Sequence, residues 1–146
     1  MKHLLTSIII ILCLSCNEKK MGHNYYYLSD YEAIDVGYPY GSIIYKAESE
    51  YHFKQIVVFS DITDIHQTGD FIIVKQTPNL ELYKKYISDN AKLRNNGIPN
   101  LFMNDINYYI INQISDKVSE PLHEETLKLE CRKNNIDISF ITDKKW

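Results

Sequence analysis

Asp61, Asp64, His66 and Asp70 form the densest set of side chains able to do chemistry in this chain. Carboxylates and an imidazole at such density could hold a hard or borderline divalent metal. No metal-binding motif frames them. Around them the sequence has no Asp-x-Asp-x-Asp-Gly loop, no His-Glu-x-x-His and no cysteine pair. On the outer face of a strand–turn–strand unit, Asp and His are ordinary solvated residues. The expectation is therefore no bound metal, with Asp61, Asp64 and His66 as the residues that would carry a metal-dependent enzyme if there were one. His123-Glu124-Glu125 reads as the first turn of a helix, where negative charge suits the dipole. Cys131 has no Cys-His motif around it and reads as a small buried hydrophobe. Gly-x-Ser-x-Gly and phosphate-cradling Gly motifs are absent, and five glycines cannot supply a Gly-rich loop. No catalytic residue and no cofactor is expected.

Tyr38 and Tyr40 lie in Gly37-Tyr38-Pro39-Tyr40-Gly41, a turn that could present both rings to a glycan or small solute. The chain has twelve Tyr but only two Arg and three Ala. An A/T-rich genome produces the same bias without selection for binding, so the tyrosine count alone marks no site. The net charge is −3 with no basic run longer than pairs such as Lys84-Lys85, which argues against nucleic acid.

The first sixteen residues say where the chain resides. Lys2 supplies a positive start and Leu4 to Leu14 an apolar run, with the small residue Ser15 before Cys16. A spanning helix needs about 20 apolar residues, more than this run offers. The Leu14-Ser15-Cys16 ending resembles the lipobox of bacterial lipoproteins, although Cys13 stands where they usually carry Leu. That resemblance implies cleavage after Ser15 and diacylation of Cys16 on sulfur. An ordinary secretory cut at the same place would instead leave a soluble chain with an N-terminal thiol. Asn17, rather than Asp, follows Cys16 and leans towards the outer membrane in a Gram-negative cell. Processing removes Lys2 and moves the net charge to −4. It also leaves Cys131 without an intramolecular partner, so the domain must be held by its core rather than by a disulfide.

These observations divide the chain into a signal peptide at 1–15, a lipidated Cys and polar tether at 16–24, and one domain at 25–146. Within it, strands are expected at Tyr25–Leu28, Glu32–Val36, Ser42–Lys46, Gln55–Phe59, Asp61–His66, Phe71–Gln76, Tyr108–Asn112 and Asp137–Ile141. Gln67-Thr68-Gly69-Asp70 reads as a hairpin turn. Leu80, Tyr83, Ile87 and Ala91 share one face of a helix over 80–93, stopped by Asn95-Asn96-Gly97-Ile98-Pro99. A second helix spans Pro121–Asn134, acidic at its start and basic at its end. The pattern predicts an α+β fold, mainly antiparallel, with two helices packed on one face.

Asp70-Phe71-Ile72-Ile73-Val74-Lys75-Gln76, Tyr108-Tyr109-Ile110-Ile111-Asn112 and Glu120-Pro121-Leu122-His123-Glu124-Glu125 resemble a family of small bacterial exported proteins, domain of unknown function 3997. Its pattern is a strand ending in Lys-Gln, a Tyr-x-Ile-Ile strand, and a Gly-Pro-Leu turn before a helix. Glu120 stands here in place of the Gly. The resemblance covers residues 25–141. It implies a lipoprotein or secreted α+β domain and carries no catalytic residue with it.

The function expected from these features is a lipid-anchored envelope protein that binds another envelope protein, as an immunity protein or inhibitor does. Binding of a glycan or small solute is the alternative, and a metal-dependent enzyme ranks below both.

Overall fold

The computed structural model describes residues 19–49, 52, 55–90 and 105–137. The signal segment, Cys16, the helix stop at 95–99 and the expected strand at 138–141 lie outside these residues. The elements in chain order are β1 (Lys19–Gly22), β2 (Tyr25–Leu28), α1 (Asp30–Asp35), β3 (Ile43–Lys46), β4 (Gln55–Val58), β5 (Ile62–Thr68), β6 (Phe71–Gln76), α2 (Leu80–Asp89), β7 (Asn107–Asn112), β8 (Lys117–Val118) and α3 (Glu124–Lys133). The fold is α+β, and every strand pair is antiparallel. The strands form two sheets of four, ordered β1-β2-β3-β4 and β5-β6-β7-β8.

The two-residue period of a strand sends alternate side chains to opposite faces. Here both faces are apolar, so both must be covered. In the first sheet Tyr25, Ile44 and Val58 join Ile72, Val74, Tyr109 and Ile111 of the second sheet in a core between the sheets. Tyr26, Leu28, Ile43 and Tyr45 point the other way, into a cluster with Ala33 of α1 and with Tyr83 and Tyr86 of α2. Ile73, Tyr108 and Ile110 leave the outer face of the second sheet and meet Leu127 and Cys131 of α3. The helices thus divide between two outer faces, because each sheet presents its own apolar face outward. One irregularity fits the same scheme. Val57 and Val58 both enter the inner core because the β3–β4 register slips between Ile44 and Tyr45, a bulge that turns consecutive residues to one side.

Three local outcomes differ from the sequence pattern. Residues 32–36 were expected to be extended, but 32–35 belong to α1 and Val36 is its C-cap. Ser29 caps it by accepting from the Glu32 amide, and the Glu32 carboxylate accepts from the Ser29 amide in return. This reciprocal pair offsets the cost of nucleating so short a helix. Residues 19–22, expected in the tether, form β1; the Met21 carbonyl accepts from Gln67 Nε2 at 2.5 Å and Gln113 Nε2 at 3.0 Å, both from the second sheet. In α2 the packed stripe is Tyr83 and Tyr86, while Leu80 stays exposed.

The sheets are joined at one end by the fully buried Gln76. Its Nε2 donates to the carbonyls of Phe59 at 2.7 Å and Ser60 at 3.1 Å. Its Oε1 accepts from Asn107 Nδ2 at 3.0 Å and the Tyr109 hydroxyl at 3.1 Å. Beside it, Asp61 and Thr77 exchange backbone hydrogen bonds, and Ser42 Oγ accepts from the Ile62 amide at 2.8 Å. Gly41, at φ +84°, passes so close that a Cβ there would strike Ser60 Oγ, Asp61 Oδ1 and Leu82 Cδ1.

Gln76→Leu strands these buried donors and acceptors together. It is expected to lower the unfolding free energy by about 3 kcal/mol, read as a lower urea midpoint at unchanged slope. Lys84→Ala, which removes only the exposed ion pair with Glu81, is expected to change it by less than about 0.5 kcal/mol.

Candidate functional site

The three acidic and imidazole residues suspected of metal binding are put to different uses. Asp61 precedes β5, and its carboxylate accepts from Ser60 Oγ and from Asn79 Nδ2 at 3.0 Å. Asn79 in turn caps α2 by accepting from the Leu82 amide. Asp61 therefore holds the start of a helix. The β5–β6 register then shifts between Ile62 and Asp64. Beyond the shift Ile65 faces the inner core, which turns Asp64 and His66 to the outer side of an edge strand. Asp64 lies across from Lys75 in the register, and its carboxylate accepts from the Ile65 amide. Asp70 stands in the hairpin loop after Gly69, which takes φ +53°. Among the described residues, no three His, Cys, Asp or Glu side chains gather in a geometry that could hold a metal.

The two turn tyrosines are likewise committed to packing. Tyr38 is buried, and burial pushes its hydroxyl pKa up. Its ring meets Tyr40 edge-on at 5.0 Å between centroids, and Tyr40 meets Tyr86 the same way at 5.1 Å. Lys85 Nζ sits 4.8 Å from the Tyr40 centroid, and the Tyr40 hydroxyl donates to Asp89 Oδ2 at 3.1 Å. The pair that could present its rings to a glycan fastens the loop to α2. The Gly-Tyr-Pro-Tyr-Gly pattern marks a turn correctly, but α2 covers it. Only the tertiary packing of Tyr83 and Tyr86 reveals that cover.

Cys131 is buried on the inner face of α3, as its helical position suggested. Burial, with Glu130 nearby, pushes its thiol up to about 11. At neutral pH it is a thiol rather than a nucleophilic thiolate.

The surface offers a different feature, at the end of the sandwich where β1 meets β2, β5 meets β6 and β7 meets β8. Residues 112–118 form a turn fixed from two directions. Within the turn, Asn112 Oδ1 accepts from the Ile114 and Ser115 amides at 3.0 and 2.9 Å. Across the sheets, Asp116 takes φ +58° and accepts from the Tyr25 hydroxyl at 2.6 Å and from Lys46 Nζ. The Lys46 ammonium and the Tyr25 hydroxyl hold the Asp116 carboxyl below the usual carboxylate range. Burial and the same carboxylate push the Tyr25 hydroxyl up. On this braced turn Ile114 is 63 % exposed, with Val118 exposed beside it. Sequence reading missed it because Ser115-Asp116 marks a turn without showing what anchors it. A rigid loop presenting a large apolar side chain loses little entropy on docking, the geometry of a protein contact rather than of a reaction centre.

The chain belongs to the family described as Protein of unknown function (DUF3997), whose model matches residues 23–143. No curated protein and no solved structure matches it.

Two measurements check this assignment of residues. Asp116→Asn keeps a residue that tolerates positive φ and removes the ionised acceptor. Because the folded carboxyl is lowered from 3.8, its contribution is present above that value and lost as pH falls through the lowered one. Asp116→Asn is therefore expected to be less stable than wild type at pH 7 and equal to it in strong acid, in urea melts. Cys131 is expected to resist maleimide at pH 7 and to react at once in denaturant, followed by mass.

Proposed function

We propose that this protein is a lipid-anchored component of the bacterial cell envelope that works by binding another protein, without chemistry of its own. The braced turn at 112–118 is the observation that carries the reading. It presents Ile114 outward on a scaffold whose own Asp116 is held by Tyr25 and Lys46 of the first sheet. The residues that suggested other functions have structural duties: Asp61 holds a helix start, and Tyr38 and Tyr40 fill the cover of a sheet. The acidic chain favours a partner with a basic surface, since complementary charge speeds encounter. An immunity protein or inhibitor acting on an incoming toxin is the concrete form of this reading. Cys16 is the proposed acylated residue, and Asn17 after it favours the outer membrane where two membranes exist.

The test begins with the mass of the N-terminal peptide of membrane-extracted protein, which is expected to show acylated Cys16. The extracted protein, crosslinked mildly in its own envelope, is then expected to carry one partner in near-stoichiometric amount. Ile114→Asp is expected to lose at least nine-tenths of that partner while its urea midpoint stays that of wild type. Equal capture by Ile114→Asp removes the turn from the interface, and an empty crosslink ends the interaction reading.

A further inference from the structure

The strand registers give the sandwich two distinct ends. Gly22, Lys46, Thr68, Phe71, Asn112 and Lys117 mark the end with the braced turn. Lys19, Leu28, Ile43, Gln76 and Asn107 mark the opposite one. Cys16 precedes Lys19 by three residues, and three Cα steps reach at most about 11 Å. Whatever Cys16 is fixed to therefore lies beside the Lys19 end. Large apolar side chains are exposed at that end, on three separate connections. Tyr31, 82 % exposed, and Ile34, 70 % exposed, share the outward face of α1, whose Ala33 packs inward. Leu80 opens α2, just beyond Gln76 and Thr77, and Ile106 directly precedes β7.

We propose that this end of the domain, through Tyr31, Ile34, Leu80 and Ile106, rests on the lipid bilayer that holds Cys16. The proposal depends on the acylation of Cys16 set out above. A tether of at most about 11 Å keeps this end within reach of the headgroup layer, which is on the order of 5–7 Å thick per leaflet. A tyrosine suits that layer, with its ring among the upper chains and its hydroxyl in water. Asp30, Glu81 and Asp105 adjoin these residues in sequence and are exposed. Lys20 is exposed at the same end and Lys84 pairs with Glu81, so the surface carries both signs and fits a zwitterionic bilayer. The same posture turns Ile114 away from the membrane.

The experiment uses the full acylated chain with its single tryptophan removed by Trp146→Phe. One new tryptophan is placed in turn by Tyr31→Trp, Leu80→Trp and Ile114→Trp, all at exposed positions. Each protein is reconstituted into phosphatidylcholine vesicles containing lipid brominated near the top of the acyl chain. Tyr31→Trp and Leu80→Trp are expected to be quenched at least twofold more than Ile114→Trp and to emit at shorter wavelength. Quenching at 31 and 80 no stronger than at 114, in protein whose acyl chain is verified by mass, overturns the bilayer contact alone. A chain with no acyl group on Cys16 overturns both this contact and the anchor beneath it.

Discussion

The carboxamide of Gln76 is the junction on which the two sheets depend. A buried amide is costly unless each polar atom finds a partner. Here the donor side serves two carbonyls of the chain leaving β4, and the acceptor side serves Asn107 and Tyr109 of β7. The arrangement specifies how far one sheet slides along the other, which apolar contacts alone would leave loosely determined. The Asp61–Thr77 backbone pair and Ser42 add to it. Because Gly41 threads past the same point, the loop that carries Tyr38 and Tyr40 is located by this junction too.

From that junction the layering follows. Strands apolar on both faces would aggregate if left half covered. The inner faces cover each other, and the outer faces take α2 with α1 on one side and α3 on the other. Tyrosine does much of this filling. A ring that buries its body and keeps its hydroxyl at the edge is well suited to a thin domain whose one described cysteine, Cys131, is free. Burial pushes the Tyr109 hydroxyl up to about 12, as fits a phenol that donates inside the core to Gln76. The composition that hinted at a binding surface is largely the composition of a core.

Much of the fold was legible in the sequence because its strands obey local rules. β2, β3, β4, β6 and β7 stand where β-branched and aromatic runs placed them, and α3 has the charge gradient expected of it. α1 was legible too, since Ser29 followed by Glu32 is a capping box; its aromatic and branched residues argued for a strand and masked the cue. The division of the strands into two sheets could not be read, because it rests on which strands pair and on how the two sheets meet at Gln76, both long-range outcomes. The braced turn was hidden for a related reason. Asp116 is separated from Tyr25 by 91 positions and from Lys46 by 70, so no local pattern announces that the turn is braced.

The place of β1 also has a mechanical meaning. β1 is an outermost strand, bonded laterally to β2, and its Met21 carbonyl is gripped by Gln67 and Gln113. Antiparallel hydrogen bonds run perpendicular to their strands. Tension applied at the N-terminal end of β1 and resisted at the Ile114 end runs along the strand and loads these bonds together, in shear. The same tension applied sideways would open them one at a time, like a zipper. A domain pulled between its two ends is thus strong in the direction it would be stretched, and weak only to a force that peels its edge.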